Sequence, residues 1–146
     1  VLCRVRPLSA KEGEGCAEIL DSERIQVAET MHTFDHVFHP EATQTEVFRE
    51  VQPAVVTALE GYNVCIFAYG QTGSGKTHTM EGPTEDRGVN HRSVEELFSA
   101  ARSMQGMDFS FTVSILEVYN ENIRDLLAPP SSGATSLDVR LGKGAR

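Results

Sequence analysis

Residues Gly70-Gln71-Thr72-Gly73-Ser74-Gly75-Lys76-Thr77 fit the pattern G-x-x-x-x-G-K-[ST], and no other stretch constrains the fold as strongly. Glycine permits positive φ and close backbone approach because it has no Cβ. Successive N–H groups in such a loop form a concave anion nest at the start of a helix. In this phosphate-loop reading Lys76 reaches the β- and γ-phosphate oxygens, and the Thr77 hydroxyl ligates Mg²⁺. The flanks supply the context that the motif needs. Asn63-Val64-Cys65-Ile66-Phe67-Ala68-Tyr69 reads as a buried strand, and Lys76-Thr77-His78-Thr79-Met80 reads as a first helical turn.

The remaining bounds are broad. The chain has 146 residues, enough for one modest domain with its own core. Hydrophobic residues make up 40% and charged residues 23%, as in an ordinary globular protein. The net charge of −8 argues against a dedicated nucleic-acid binder, which usually shows a basic face. Cys3, Cys16 and Cys65 lack metal-ligand spacing. Cys3 and Cys65 sit in apolar runs and read as reduced core residues, which fits a reducing, intracellular compartment. No apolar run approaches the roughly 18 residues of a membrane-spanning helix, so no membrane partner is expected. The start, Val1-Leu2-Cys3-Arg4, is not a signal peptide. It carries no initiator Met and begins inside a strand-like run, so a fragment is expected.

In chain order, Val1–Arg6 reads as a strand ending at Pro7, and residues 8–16 as a loop. Apolar pieces at Ala17–Leu20, Ile25–Ala28 and Thr33–Phe38 suggest small strands of an antiparallel flap. Thr43 and Glu46 have capping-box spacing. Val47, Val51, Val55, Ala58 and Leu59 recur at helical spacing, with a kink or short break expected near Gln52, ahead of Pro53, and a C-cap at Gly61. Residues 81–88 read as an exposed loop. A helix is predicted over Ser93–Met104, with Glu95 and Glu96 near its N-terminus. The alternation in Phe109–Ile115 predicts a strand, with both faces covered or a bulge where Leu116 and Val118 shift the phase. Glu121–Leu127 suggests a short helix, residues 129–136 a turn, and Leu137–Leu141 a last strand. The alternating order predicts α/β layers around a central sheet.

Several segments together resemble the kinesin motor domain. They are Cys3-Arg4-Val5-Arg6-Pro7-Leu8, Phe34-Asp35-His36-Val37-Phe38, the run from Gly61 through Thr79-Met80-Glu81-Gly82, and the run Glu117–Leu127. The block FAYGQTGSGKTHTMEG is highly specific to that family, and the resemblance covers essentially the whole chain. Gly61-Tyr62-Asn63-Val64-Cys65-Ile66 is most similar to the C-terminal-motor, minus-end-directed subfamily. The resemblance implies an α/β P-loop NTPase fold with a central, mostly parallel or mixed sheet flanked by helices, truncated after the first strands. Residues 1–146 would then be a partial motor domain, with ATP and Mg²⁺ as cofactors. Its partner would be the microtubule, its location the cytoplasm and cytoskeleton, and its activity ATP hydrolysis coupled to movement.

Site roles follow position by position. Arg4 and Pro7 match residues that flank the adenine ring, and an Arg plane against a base is sensible physics. His78 matches the position on the other side of the base. Tyr69 is similar to a nucleotide-pocket residue and reads equally as a core aromatic at a strand end. For His32, His36, His39 and His91 no paired acid or ligand spacing singles out a role. Glu117 is not assigned as a base, and no catalytic residue is assigned.

The departures from the family matter as much. The serine-rich SSRSH run of switch I and the DLAGSE run of switch II are absent from these residues, and with them the elements that follow switch II toward the microtubule. A P-loop NTPase needs a second-strand Asp and a group that orients the attacking water. A non-catalytic nucleotide-binding fragment therefore stands beside the motor reading. A GTPase should show N-K-x-D after a strand, and a small-molecule kinase should show basic lid residues. Neither feature is present.

Overall fold

The computed structural model describes residues 1–10, 12–13, 15–129 and 137. The chain forms two compact units, residues 1–107 and 108–146.

The first unit is built on a parallel pair. β1 (Leu2–Arg4) and β5 (His36–Phe38) run side by side in the register Leu2 to His36, Cys3 to Val37 and Arg4 to Phe38. The chain between them folds into an antiparallel meander of β2 (Ala17–Ile19), β3 (Arg24–Val27) and β4 (Thr30–Thr33). The expected flap is therefore present with a different third member. The run Thr33–Phe38 divides, because β4 pairs with β3 whereas β5 pairs with β1.

α1 (Gln44–Thr57) starts on the expected capping box. The Glu46 N–H donates to Thr43 Oγ1 at 3.2 Å, and the Thr43 N–H donates to Glu46 Oε2 at 2.7 Å. The helix runs through Pro53 without a break at Gln52. Proline takes its own N–H out of the ladder, and the Pro53 carbonyl accepts from Thr57 Oγ1 at 2.8 Å. A 3₁₀ turn, Ala58–Glu60, then ends at Gly61, whose φ of 94° is the left-handed cap expected of it. Gln44, Val47, Phe48 and Val55 form the buried stripe of α1. Val47 meets Phe38 of β5 and Val89 in the core, with Ala42, Val51, Ile66 and Met80 packed around them.

α2 (Lys76–Met80) follows the glycine-rich loop as expected. α3 spans Val89–Ser103 and so begins four residues before the expected start at Ser93. Its N-cap is Gly88, which makes no side-chain cap hydrogen bond, and Arg92 ties the helix back to the preceding loop. Arg92 donates from Nε to the Arg87 carbonyl at 2.6 Å and from Nη2 to Asp86 Oδ1 at 2.9 Å. Ser93 lies inside the helix, and its Oγ is buried without a hydrogen-bond partner among the described residues.

Residues 63–69 are not a strand. They form no ladder among the described residues and are tied to the core through Ile66. Cys65, beside Ile66, is exposed, which corrects its placement in the core; Cys3 is half-buried, and burial raises its thiol pKa. The expected single central sheet is likewise replaced, among the described residues, by separate sheets of two, three and two strands. Apolar alternation marks a face to be buried, but a strand exists only through a neighbour that accepts and donates its backbone hydrogen bonds.

Among its described residues the second unit holds one hairpin, β6 (Leu116–Tyr119) against β7 (Asn122–Asp125), with Val118 opposite Ile123 and Tyr119 opposite Asn122. The short helix expected over Glu121–Leu127 is not formed. Asn120 and Glu121 both take positive φ, 48° and 64°, which closes a two-residue turn and sends the chain back as a strand. Phe109–Ile115 is not a strand either. The Phe109 and Phe111 rings lie 6.3 Å apart, and the Ile115 carbonyl accepts from the Leu126 N–H at 2.8 Å. The expected turn over 129–136 and last strand over 137–141 lie outside the described residues except for Pro129 and Leu137. No helix among the described residues is long and apolar enough to cross a membrane.

Candidate functional site

The glycine-rich loop has the backbone that its sequence demands. Gly73 and Gly75 take φ of 81° and 97°. A Cβ on Gly70 would overlap Ser74 Oγ and stand 3.1 Å from its Cβ, so any larger residue there must displace Ser74. The Ser74 N–H donates to the Gln71 carbonyl at 3.1 Å and closes the turn. Gly75 is the N-cap of α2 and supplies no side chain, which leaves the first N–H groups of α2 without a side-chain cap.

Lys76 is half-buried and folded back over the loop. Its Nζ donates to the Gly70 carbonyl at 2.7 Å and to the Gln71 carbonyl at 2.8 Å. Both partners are neutral, and a cation gains more from an anionic oxygen than from a carbonyl. The ammonium is thus held at the loop in a form that a phosphate can claim. Thr77 and His78 follow it, both exposed.

Behind the loop, Arg4 ties three segments together. Its Nη1 donates to Gln44 Oε1 at 2.8 Å and to Thr79 Oγ1 at 3.0 Å, and its Nη2 donates to the Ala42 carbonyl at 3.0 Å. Burial lowers its pKa from the ordinary value, and the charge of Asp86 opposes that shift. Gln44 is 2% exposed, and its Nε2 donates to the His78 carbonyl at 2.5 Å. The end of β1, the start of α1 and the body of α2 are therefore joined by one buried amide and one guanidinium.

A cavity of about 390 Å³ opens beside the loop, lined by Arg4, Arg6, Glu12 and Gln71–Ser74. It brings Arg4 together with the loop, as the base-pocket expectation requires. The hydrogen bonds of Arg4 use the N–H edge of the guanidinium, whereas stacking uses its face, so the two are compatible. Pro7, Tyr69 and His78 are exposed and do not line this cavity. Tyr69 is fully exposed, which removes its alternative reading as a core aromatic.

The residues present fit a polyphosphate. The glycine backbone, the uncapped start of α2 and Lys76 place hydrogen-bond donors and positive charge along the same short run, Gly70–Thr77. The exposed Thr77 hydroxyl would supply one oxygen to a Mg²⁺ held beside substrate phosphates, with the second-strand Asp that such a site needs not among these residues.

Sequence reasoning missed Gln44, Thr79, Arg6 and Glu12. Gln44 carried a usable signal. It lies three, four and eleven residues before Val47, Phe48 and Val55, so it is the polar member of an apolar helical stripe. A polar residue on such a stripe is buried and must find partners.

Comparison with known proteins identifies the family. The family profile of the kinesin motor domain matches residues 4–144. The chain is 49% identical over 144 residues to the kinesin-like protein KIN-14S of Arabidopsis thaliana, covering 90% of this chain and 19% of that protein. It is 50% identical over 153 residues to the kinesin-like protein KIN-14J of Oryza sativa subsp. japonica, covering 96% of this chain and 18% of that protein. The kinesin-like protein KIN-14R of Arabidopsis thaliana is 46% identical over 152 residues, covering 96% of this chain and 14% of that protein. The chain thus spans less than a fifth of the length of these relatives. With the profile running almost end to end through a loop of the required geometry, the chain belongs to the kinesin motor domain family, with its P-loop NTPase-like α/β fold.

Proposed function

We propose that residues 1–146 are the ATP-binding part of a microtubule motor domain, whose complete form couples ATP hydrolysis to movement along microtubules in the cytoskeleton. The observation that carries the reading is the Lys76 ammonium, held by two neutral carbonyls of a glycine loop at the uncapped start of α2. In this reading Gly70–Thr77 hold the phosphates, Lys76 meets the β- and γ-phosphate oxygens and Thr77 takes one Mg²⁺ position. Arg4, Pro7 and His78 flank the base, with Tyr69 near it. Residues 63–69 and 109–115 become strands of one central sheet in the complete domain, beside neighbours that supply their hydrogen bonds.

Mg²⁺ neutralises charge that develops on the transferring phosphoryl group. The share of this chain is to bind and orient the polyphosphate. A second reading, a nucleotide-binding segment without turnover of its own, is favoured by the absence of SSRSH and DLAGSE runs from the 146 residues. Displacement of a fluorescent ATP analogue by unlabelled nucleotides tests the binding claim. ATP and Mg²⁺ together should displace it, with only a weak preference over GTP, because stacking on Arg4 and His78 is tolerant of base identity. Failure of ATP to compete, or a large GTP preference, would contradict the assignment.

A further inference from the structure

Arg6 and Glu12 share the cavity wall with the loop residues Gln71–Ser74. Arg6 is paired in a bidentate manner. Its Nη1 donates to Glu12 Oε2 at 3.0 Å, and its Nη2 donates to Glu12 Oε1. Nη1 also donates to the Pro7 carbonyl at 3.2 Å. Glu12 is fixed from its other side, where the Ser9 N–H donates to Oε2 at 2.7 Å and the Glu12 N–H donates to the Ser9 carbonyl at 3.0 Å.

The two arginines at this cavity differ in kind. Arg4 is half-buried, and its partners are neutral groups of the framework. Arg6 is exposed, and its partner is an anion at the open side of the cavity. The Arg6 hydrogen bonds, backed by Ser9, hold the Glu12 carboxyl at about 2, so the carboxylate stays ionised at any working pH. The guanidinium that stands free to meet a ligand is already matched by a carboxylate of the same chain.

We propose that Glu12 is an intramolecular competitor for the incoming polyphosphate, holding the Arg6 fork that would otherwise pair with phosphate oxygens and thereby setting the affinity of the loop site. This rests on the polyphosphate reading of the loop. The planar fork of arginine suits a carboxylate and a phosphate alike, and the Nη1–Nη2 edge that Glu12 occupies serves one bidentate partner at a time. A polyphosphate carries more charge than a carboxylate, so it wins the exchange, whereas a singly charged anion gains little by it. Both side chains are exposed, so the displaced carboxylate rehydrates and the exchange is reversible.

The test is calorimetric titration of the full chain with tripolyphosphate and Mg²⁺. Glu12→Gln should bind about two- to fivefold more tightly than the wild type, the range that one exposed ion pair supports. That gain should vanish when Arg6→Gln is present as well. The double variant separates release of Arg6 from the general effect of removing one negative charge. Equal or weaker binding by Glu12→Gln, or the same gain without Arg6, overturns the proposal. Lys76→Ala distinguishes the two levels of the account. Equal tripolyphosphate binding by wild type and Lys76→Ala overturns the loop reading itself. Loss in Lys76→Ala without a gain in Glu12→Gln overturns only the role of Glu12.

Discussion

Gln44 and Arg4 lie 40 positions apart in the chain, and the amide oxygen of the first accepts a 2.8 Å hydrogen bond from Nη1 of the second. The other end of the same amide donates to the His78 carbonyl in α2. One fully buried side chain thus spends its acceptor on the strand that carries Arg4 and a donor on the helix that follows the loop.

Gln44→Leu should therefore destabilise the chain more than its similar volume suggests. It keeps the apolar stripe of α1 but strips partners from a half-buried guanidinium and from the His78 carbonyl. Each group left unpaired costs about 1–3 kcal/mol. Gln44→Glu restores an acceptor for Arg4 and loses only the donor, so its loss should be smaller. Urea unfolding of the three proteins checks the order, and a Gln44→Leu midpoint equal to wild type would show that the amide does not tie the segments together.

The capping box gives a prediction with a pH sign. Thr43→Ala should cost about 1 kcal/mol in unfolding free energy. The Thr43 N–H, with the Thr43 hydroxyl second, holds the Glu46 carboxyl below the ordinary carboxylate range. A carboxyl with a lowered folded-state pKa contributes stability that is present above its unfolded value, near 4.3. That contribution is lost as pH falls through the folded-state value. Glu46→Gln should be less stable than wild type at neutral pH, and the gap should narrow toward pH 3. Midpoints at the two pH values measure it, and a gap that widens in acid would contradict the sign.

Glu121→Gly should stabilise the hairpin of β6 and β7. Asn120 and Glu121 both hold positive φ, and only Asn tolerates that region with ease. Relief at Glu121, less the added entropy of glycine in the unfolded chain, should leave a gain of about 0.5–1 kcal/mol. Slower amide exchange at Arg124 and Leu126, whose N–H groups face the partner strand, would report it, and faster exchange would refute the turn assignment.

The features legible in the sequence were those set by short-range rules. The glycine loop, the Thr43–Glu46 box, the Gly61 cap and the buried stripe of α1 each rest on contacts within a few residues. The start of α3 was hidden because its N-cap, Gly88, offers no side-chain cap to read, while Ser93, a residue type common at caps, lies inside the helix. The run after Glu121 was misread because a short apolar run does not distinguish helix from strand, and the turn at Asn120 and Glu121 decides it. Residues 63–69 were legible as apolar, but a strand exists only beside a neighbour that shares its backbone hydrogen bonds, and among the described residues they have none. At the site, the loop was readable from glycine spacing, whereas the Arg4–Gln44–His78 bridge joins residues far apart in sequence.

Turnover is a separate matter from binding. Phosphoryl transfer depends on positioning and charge stabilisation by several elements together, and the 146 residues include no SSRSH or DLAGSE run. The chain by itself should show no microtubule-stimulated ATPase activity, whereas a longer protein that joins it to both runs should. A steady-state assay with microtubules compares them, and equal stimulated rates would mean that the catalytic parts lie within these residues.

The most direct measurement is calorimetric titration of Mg-ATP into the wild-type chain and into Lys76→Ala. The loop geometry predicts that the wild type binds and that removal of the ammonium, which bridges the Gly70 and Gln71 carbonyls in the structure, weakens binding at least about tenfold. Equal dissociation constants for the two proteins would contradict the assignment of Gly70–Thr77 as the phosphate site.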